Sequence, residues 1–178
     1  MKNVLYGVAC LALGFVFSCE DKDDVVLAKT DAIYGEWELH SWSVGIGFDA
    51  DGDGAYNENL IAELACDNHE VLLIENTGVL SFNNVYNPEY SITKDDEENY
   101  SINASCDDEG HVGLATSFEF NNGVIVYSDA RELVLDNGVL IAVFEDAVAV
   151  YASDEDDDDH VLETRHLTKI YTKRRSEE

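Results

Sequence analysis

Polar and apolar residues alternate along most of this chain, with a period of two. In "IYGEWELHSWSV" (33–44), Trp37 and Leu39 fall on one face and Glu36, Glu38 and His40 on the other, the pattern of a half-buried strand. "HEVLLIE" and "GVLSFNNVY" follow, joined at Asn76-Thr77-Gly78. Next come "VGLATSFEF", "GVIVYS", "ELVLD" and "GVLIAVFEDAVAVY", with turns at Asn121-Asn122-Gly123 and Asp136-Asn137-Gly138, and "VLETRHLTKIYTKR" is the last strand. Asn-Gly supplies the positive φ that tight hairpins require. Only Asn59 to Cys66 reads as a helix, and a short one. About eight strands at hairpin spacing, in a chain with one proline, predict an all-β fold. Its natural form is an antiparallel up-and-down barrel over residues 33–175, because closure removes exposed edges. No internal repeat is visible, and the like-charged block Ser153 to Asp159 reads as an exposed loop before the last strand.

The amino terminus follows a different pattern. Lys2 precedes an unbroken apolar run of fourteen residues, Val4 to Phe17. That fits the core of a secretory leader and falls short of the roughly 20 residues needed to span a bilayer. The junction Val16-Phe17-Ser18-Cys19 resembles the lipobox of bacterial lipoproteins. The resemblance implies removal of residues 1–18, acylation of Cys19 as the new amino terminus, and anchorage in a membrane, which two or more acyl chains secure. Residues 19–32 then form a polar tether. Within it, Lys22-Asp23-Asp24 resembles the export signal of Bacteroidetes surface lipoproteins, which implies an outer-membrane protein displayed on the cell surface.

Composition narrows the partners. The formal charge is −28, or −29 once Lys2 is removed with the leader; such a surface repels nucleic acid and anionic lipid. Disorder does not follow from this acidity, because 46% of residues are hydrophobic, well above a disordered composition. With Cys10 in the leader and Cys19 as the anchor, Cys66 and Cys106 remain. In an oxidising compartment they form a bridge worth about 4 kcal/mol by the chain-entropy argument, or else stay as two buried thiols. No CxxC occurs, so neither a zinc ribbon nor a redox motif is indicated.

Gly35-Glu36-Trp37 matches the GxW motif that opens lipocalins. Combined with the lipobox, the early Asp/Gly loop, a cysteine before the second strand and a closing strand rich in Lys and Tyr, the mature chain resembles lipocalin-like lipoproteins of Bacteroidetes. The resemblance implies an eight-stranded barrel or cup that binds a small apolar ligand. In it Trp37 packs across the floor, and Arg165 or Lys169 serves as the basic residue over that tryptophan. A fold of this kind does not by itself assign a function.

Asp49-Ala50-Asp51-Gly52-Asp53-Gly54 is the sharpest local motif. Alternating carboxylates before a glycine are what a calcium loop uses at its first positions, and Asn57 falls at position 9. Position 12, normally a bidentate glutamate, is Leu60, so Glu58 or Glu63 would have to close the site. The competing reading is a solvated acidic loop. The five histidines are scattered, with no HExxH, and GxSxG is absent, so no catalytic set is assembled and the expectation is a non-enzyme. The sequons Asn99-Tyr100-Ser101 and Asn103-Ala104-Ser105 read as loop residues. Two functions follow from these features. One is a binding barrel, which needs a mostly apolar cavity of roughly 300 Å³ or more. The other is a calcium-stiffened structural or adhesive module, in which side chains such as Trp37, Phe118 and Phe144 fill the interior.

Overall fold

The computed structural model describes residues 32–64, 66–106, 113–153 and 160–175. The leader, Cys19, all of the tether but Ala32, His111 and most of the acidic block before the last strand lie outside them. Among the described residues there are ten strands and one helix: β1 (Gly35–Ser43), α1 (Leu60–Glu63), β2 (Val71–Ile74), β3 (Val79–Asn83), β4 (Glu89–Lys94), β5 (Tyr100–Ser105), β6 (Ala115–Asn121), β7 (Val124–Tyr127), β8 (Arg131–Asp136), β9 (Val139–Ala152) and β10 (Val161–Lys173). Eight of them form a closed antiparallel barrel in the order β1-β2-β3-β6-β7-β8-β9-β10, with β10 returning to β1. The barrel strands are the eight that the alternation predicts.

The hairpins close as their turn residues dictate. Asn122-Gly123 and Asn137-Gly138 are two-residue loops with positive φ at both positions, the turn whose twist matches paired strands. Inward positions then carry the core: Leu72, Ile74, Leu80, Ile125, Leu133 and Leu140 are buried.

Between β3 and β6, β4 and β5 form a six-pair antiparallel hairpin, so the sequons are not plain loop: Asn103-Ala104-Ser105 lies within β5, and Asn99 in the turn immediately precedes it. The hairpin adds to the barrel through β4, which runs parallel to the far end of β9 from Ile92↔Val150 to Lys94↔Ala152. Its turn is set by Asp95, whose carboxylate accepts the backbone N–H groups of Glu97 and Asn99 at 2.9 and 2.8 Å. β5 is fastened again by its first residue. The Tyr100 hydroxyl donates to Glu163 at 2.7 Å and accepts from Arg165 at 2.6 Å, both on β10.

Trp37 is 1% exposed, and its indole N–H donates to the Ile33 carbonyl at 2.8 Å. The basic residue over it is neither Arg165 nor Lys169 but Lys173, with its ammonium 5.5 Å from the ring and bonded to the Ala32 carbonyl at 2.7 Å. Register explains the correction. Trp37 lies opposite Lys173, whereas Lys169 lies opposite Trp42, farther up the barrel.

Cys66 and Cys106 are joined, with Cα atoms 5.2 Å apart across a separation of 40 residues. The bridge ties the segment after α1 to the end of β5. In unreduced protein both thiols should resist alkylation and become reactive after reduction, with a mass gain of two hydrogens. Cys66→Ser with Cys106→Ser should lower the unfolding free energy by up to about 4 kcal/mol in denaturant titration.

Candidate functional site

The barrel interior is divided by a buried carboxylate. Glu70 sits just before β2, 2% exposed, and its backbone carbonyl accepts the Leu39 N–H of β1 at 3.1 Å. Three donors meet its side chain. Tyr171 O–H reaches Oε1 at 2.5 Å, while Lys169 Nζ and the Tyr86 backbone N–H reach Oε2 at 2.9 and 2.8 Å. Lys169 and Tyr171 are two apart on β10 and therefore point to the same, inward face. An ionised pair costs several kcal/mol per ion to dehydrate, and only full hydrogen bonding offsets it. Burial pushes the Tyr171 hydroxyl well above its usual range, and the Glu70 charge pushes it further in the same direction, so it stays a neutral donor.

Above this layer the barrel opens into a cavity of about 300 Å³. Its wall is mainly apolar, formed by Phe82, Leu114, Phe144 and Leu167, with Tyr127 beside Phe82 at a ring separation of 5.6 Å. Three charged side chains also line it, Glu70 and Lys169 beside Tyr171 at the bottom and Arg131 at the start of β8. Burial raises the Tyr127 hydroxyl, with the nearby Arg131 acting against that shift and Glu70 adding to it. To one side Trp42 packs edge-on against Tyr86 and Tyr90, at 6.1 and 5.0 Å. The Tyr86 hydroxyl is buried with no hydrogen-bond partner among the described residues. Phe144 lines this cavity, while the half-buried Phe118 packs against the core and Trp37 is buried within it.

A second cluster lies outside the barrel. The loop after β1 is closed at its base by a two-way backbone bridge between Phe48 and Asn57. Asn59 then caps α1, accepting from Ile61 N–H at 3.3 Å, and its side chain also spans back to β1 through Trp42 and His40. This directs Glu63, 6% exposed, into the loop, where it accepts the Ala50 N–H at 3.0 Å. Carboxylate oxygens of Asp49, Asp51 and Glu63 come within 4.8 Å of one another, an arrangement able to hold a metal ion. Asp53 is not among these three carboxylates; it accepts the Ala55 N–H at 2.7 Å, and Asn57 accepts the Asn59 N–H at 2.9 Å. Glu63, not Glu58, supplies the third carboxylate.

No protein-family model, curated protein sequence or solved structure matches the chain.

Sequence reasoning missed Glu70 and Arg131 as cavity residues and assigned Lys169 a different partner. The available clue was a charged side chain at an inward position of β10, next to Tyr171 in the same alternation. Lys169→Met should leave Glu70 buried without its cation and cost about 3–5 kcal/mol in chemical denaturation. Adding Glu70→Gln to that variant should recover much of the loss. Equal losses that simply add in the double variant would show that the two side chains act independently.

Proposed function

We propose that this chain is a lipid-anchored binding protein of the outer-membrane surface, lipocalin-like in its barrel, that holds a small apolar ligand. The observation that carries the reading is the cavity of about 300 Å³ above the Glu70 layer, walled by Phe82, Leu114, Phe144 and Leu167. That volume is at the lower end of small-molecule sites, and an apolar wall with a few polar groups is their usual chemistry. Support for the anchor comes from Val16-Phe17-Ser18-Cys19 and from the acidic segment after it.

Binding and anchorage are tested separately. A neutral lipophilic fluorophore should gain emission on the purified protein, and Leu167→Trp, which fills the cavity, should remove that gain while the melting temperature is kept. No gain with the wild type would sink the binding role. Labelled fatty acid should enter the protein in a bacterial host and vanish in Cys19→Ala; label persisting in that variant would exclude Cys19 as the acylated residue. Protease added to intact cells should cut the protein if it faces outward.

A second reading rests on Asp49, Asp51 and Glu63: calcium bound there stiffens the loop after β1 in a structural surface module. Three carboxylates this close repel one another, and a divalent cation relieves the repulsion. Affinity in the extracellular range, about 10⁻⁴ to 10⁻³ M, is expected for such a site. Calcium at about ten times the dissociation constant then adds roughly 1.4 kcal/mol, a rise of about 4 °C or less in melting temperature. The rise should exceed that with magnesium at matched ionic strength and disappear in Asp51→Asn with Glu63→Gln. An equal response to magnesium would reduce it to charge screening.

A further inference from the structure

The β8–β9 seam of the closed barrel is short. Their ladder runs only from Asp136↔Val139 to Val134↔Ile141, although β8 stays paired with β7 up to Arg131. On that same edge β9 next finds a partner at Val150, opposite Ile92 of β4. Across 142–149, therefore, no described strand pairs with that edge of β9, while its other edge follows β10. Within this stretch Asp146 has φ of 49° and the β9–β10 register shifts opposite Arg165 and Leu167, so the strand bulges where its partner is missing.

An outer groove of about 570 Å³ lies along this gap, lined by Val134, Ile141 and Val143 together with Glu132 and Glu145. Arg131, Phe144 and Ala147 line both the groove and the interior cavity. The same three side chains thus form the partition between inside and outside. Arg131 is exposed and its guanidinium rests 5.8 Å from the centre of the Phe144 ring.

Charge then selects a ligand. The charged side chains lining the cavity are Glu70, Lys169 and Arg131, one carboxylate against two cations, in a chain of net charge −28. Glu70 and Lys169 neutralise each other at 2.9 Å, and Arg131 has no ion-pair partner among the described residues. We propose that the gap between β8 and β9 is a lateral opening through which an amphiphile with a single anionic head group is held. Its alkyl chain lies in the cavity against Phe82, Phe144 and Leu167, and its head pairs with Arg131 at the gap. Glu132 and Glu145 line the groove beyond and disfavour a second negative charge there. The inference rests on the ligand-binding reading and specifies its ligand class.

The test compares decanoate with decanol, equal in chain length and different in charge, by calorimetric titration of the full-length chain carrying Cys19→Ala. Decanoate should bind about tenfold more tightly than decanol, as one charge-assisted contact provides. Arg131→Gln should remove that preference, weakening decanoate about tenfold more than decanol, while Arg131→Lys retains part of it. Ala147→Trp, at an exposed position bordering both spaces, should weaken both probes about tenfold or more. Equal binding of the two probes by the wild type, or equal weakening of both in Arg131→Gln, overturns the head-group assignment and leaves the ligand cavity standing. Undiminished binding in Ala147→Trp overturns the lateral opening. If neither probe binds to the wild type, the cavity reading and this inference fall together.

Discussion

A carboxylate inside a barrel has to be surrounded by donors, and the rest of this structure is arranged to meet that demand. Glu70 takes its donors from β10 and from the connection after β3, while its own carbonyl is bonded to β1. A slip of one residue in β10 would turn Lys169 and Tyr171 outward together and strand the charge. The pair therefore specifies register in addition to whatever net stability it adds. It also sets a level within the barrel. Below it, Trp37 and the aliphatic residues of β2, β3 and β7 pack the interior; above it, the walls enclose open space.

The scarce positive charge is concentrated where the barrel closes. The chain has ten Lys and Arg residues, and β10 with the residue after it carries Arg165, Lys169, Lys173 and Arg174. They reach three parts of the fold: Arg165 meets Tyr100 of β5, Lys169 meets Glu70 before β2, and Lys173 and Arg174 both reach β1, the first over Trp37 and the second paired with Glu36 and Glu38 at 2.9 and 3.0 Å. The exposed pairs contribute little individually. The strand as a whole nevertheless offsets the repulsion that the acidic flanks of β1 would otherwise meet.

Alternation and Asn-Gly turns made the eight barrel strands legible, and the count of cysteines singled out the pair that is bridged. The β4–β5 hairpin was less visible, although Tyr90 and Ile92, then Tyr100 and Ile102, do alternate with polar residues. Only two or three apolar side chains mark each strand, the run Asp95 to Glu98 between them reads as solvated, and the parallel pairing with β9 has no local signature. The cavity charges were hidden for a related reason. Glu70 and Lys169 are 99 residues apart, and nothing local distinguishes an inward Glu from the many outward ones. In the acidic loop, the spacing of Asp49, Asp51 and Asp53 indicated metal chemistry. Which carboxylates converge depends on α1 turning Glu63 back toward the loop.

The closing of β1 against β10, with Trp37 opposite Lys173, has a consequence for the order of assembly. Every other seam of the barrel joins strands that are neighbours in the chain or are separated only by the β4–β5 hairpin. This one joins the two ends of the domain and carries the largest loop-closure entropy. A chain released amino terminus first would hold β1 with one open edge until β10 was free. Until then Trp37 lacks its cation and Glu70 lacks two of its donors, so the packing around Trp37 and the dividing layer form late, on the same event.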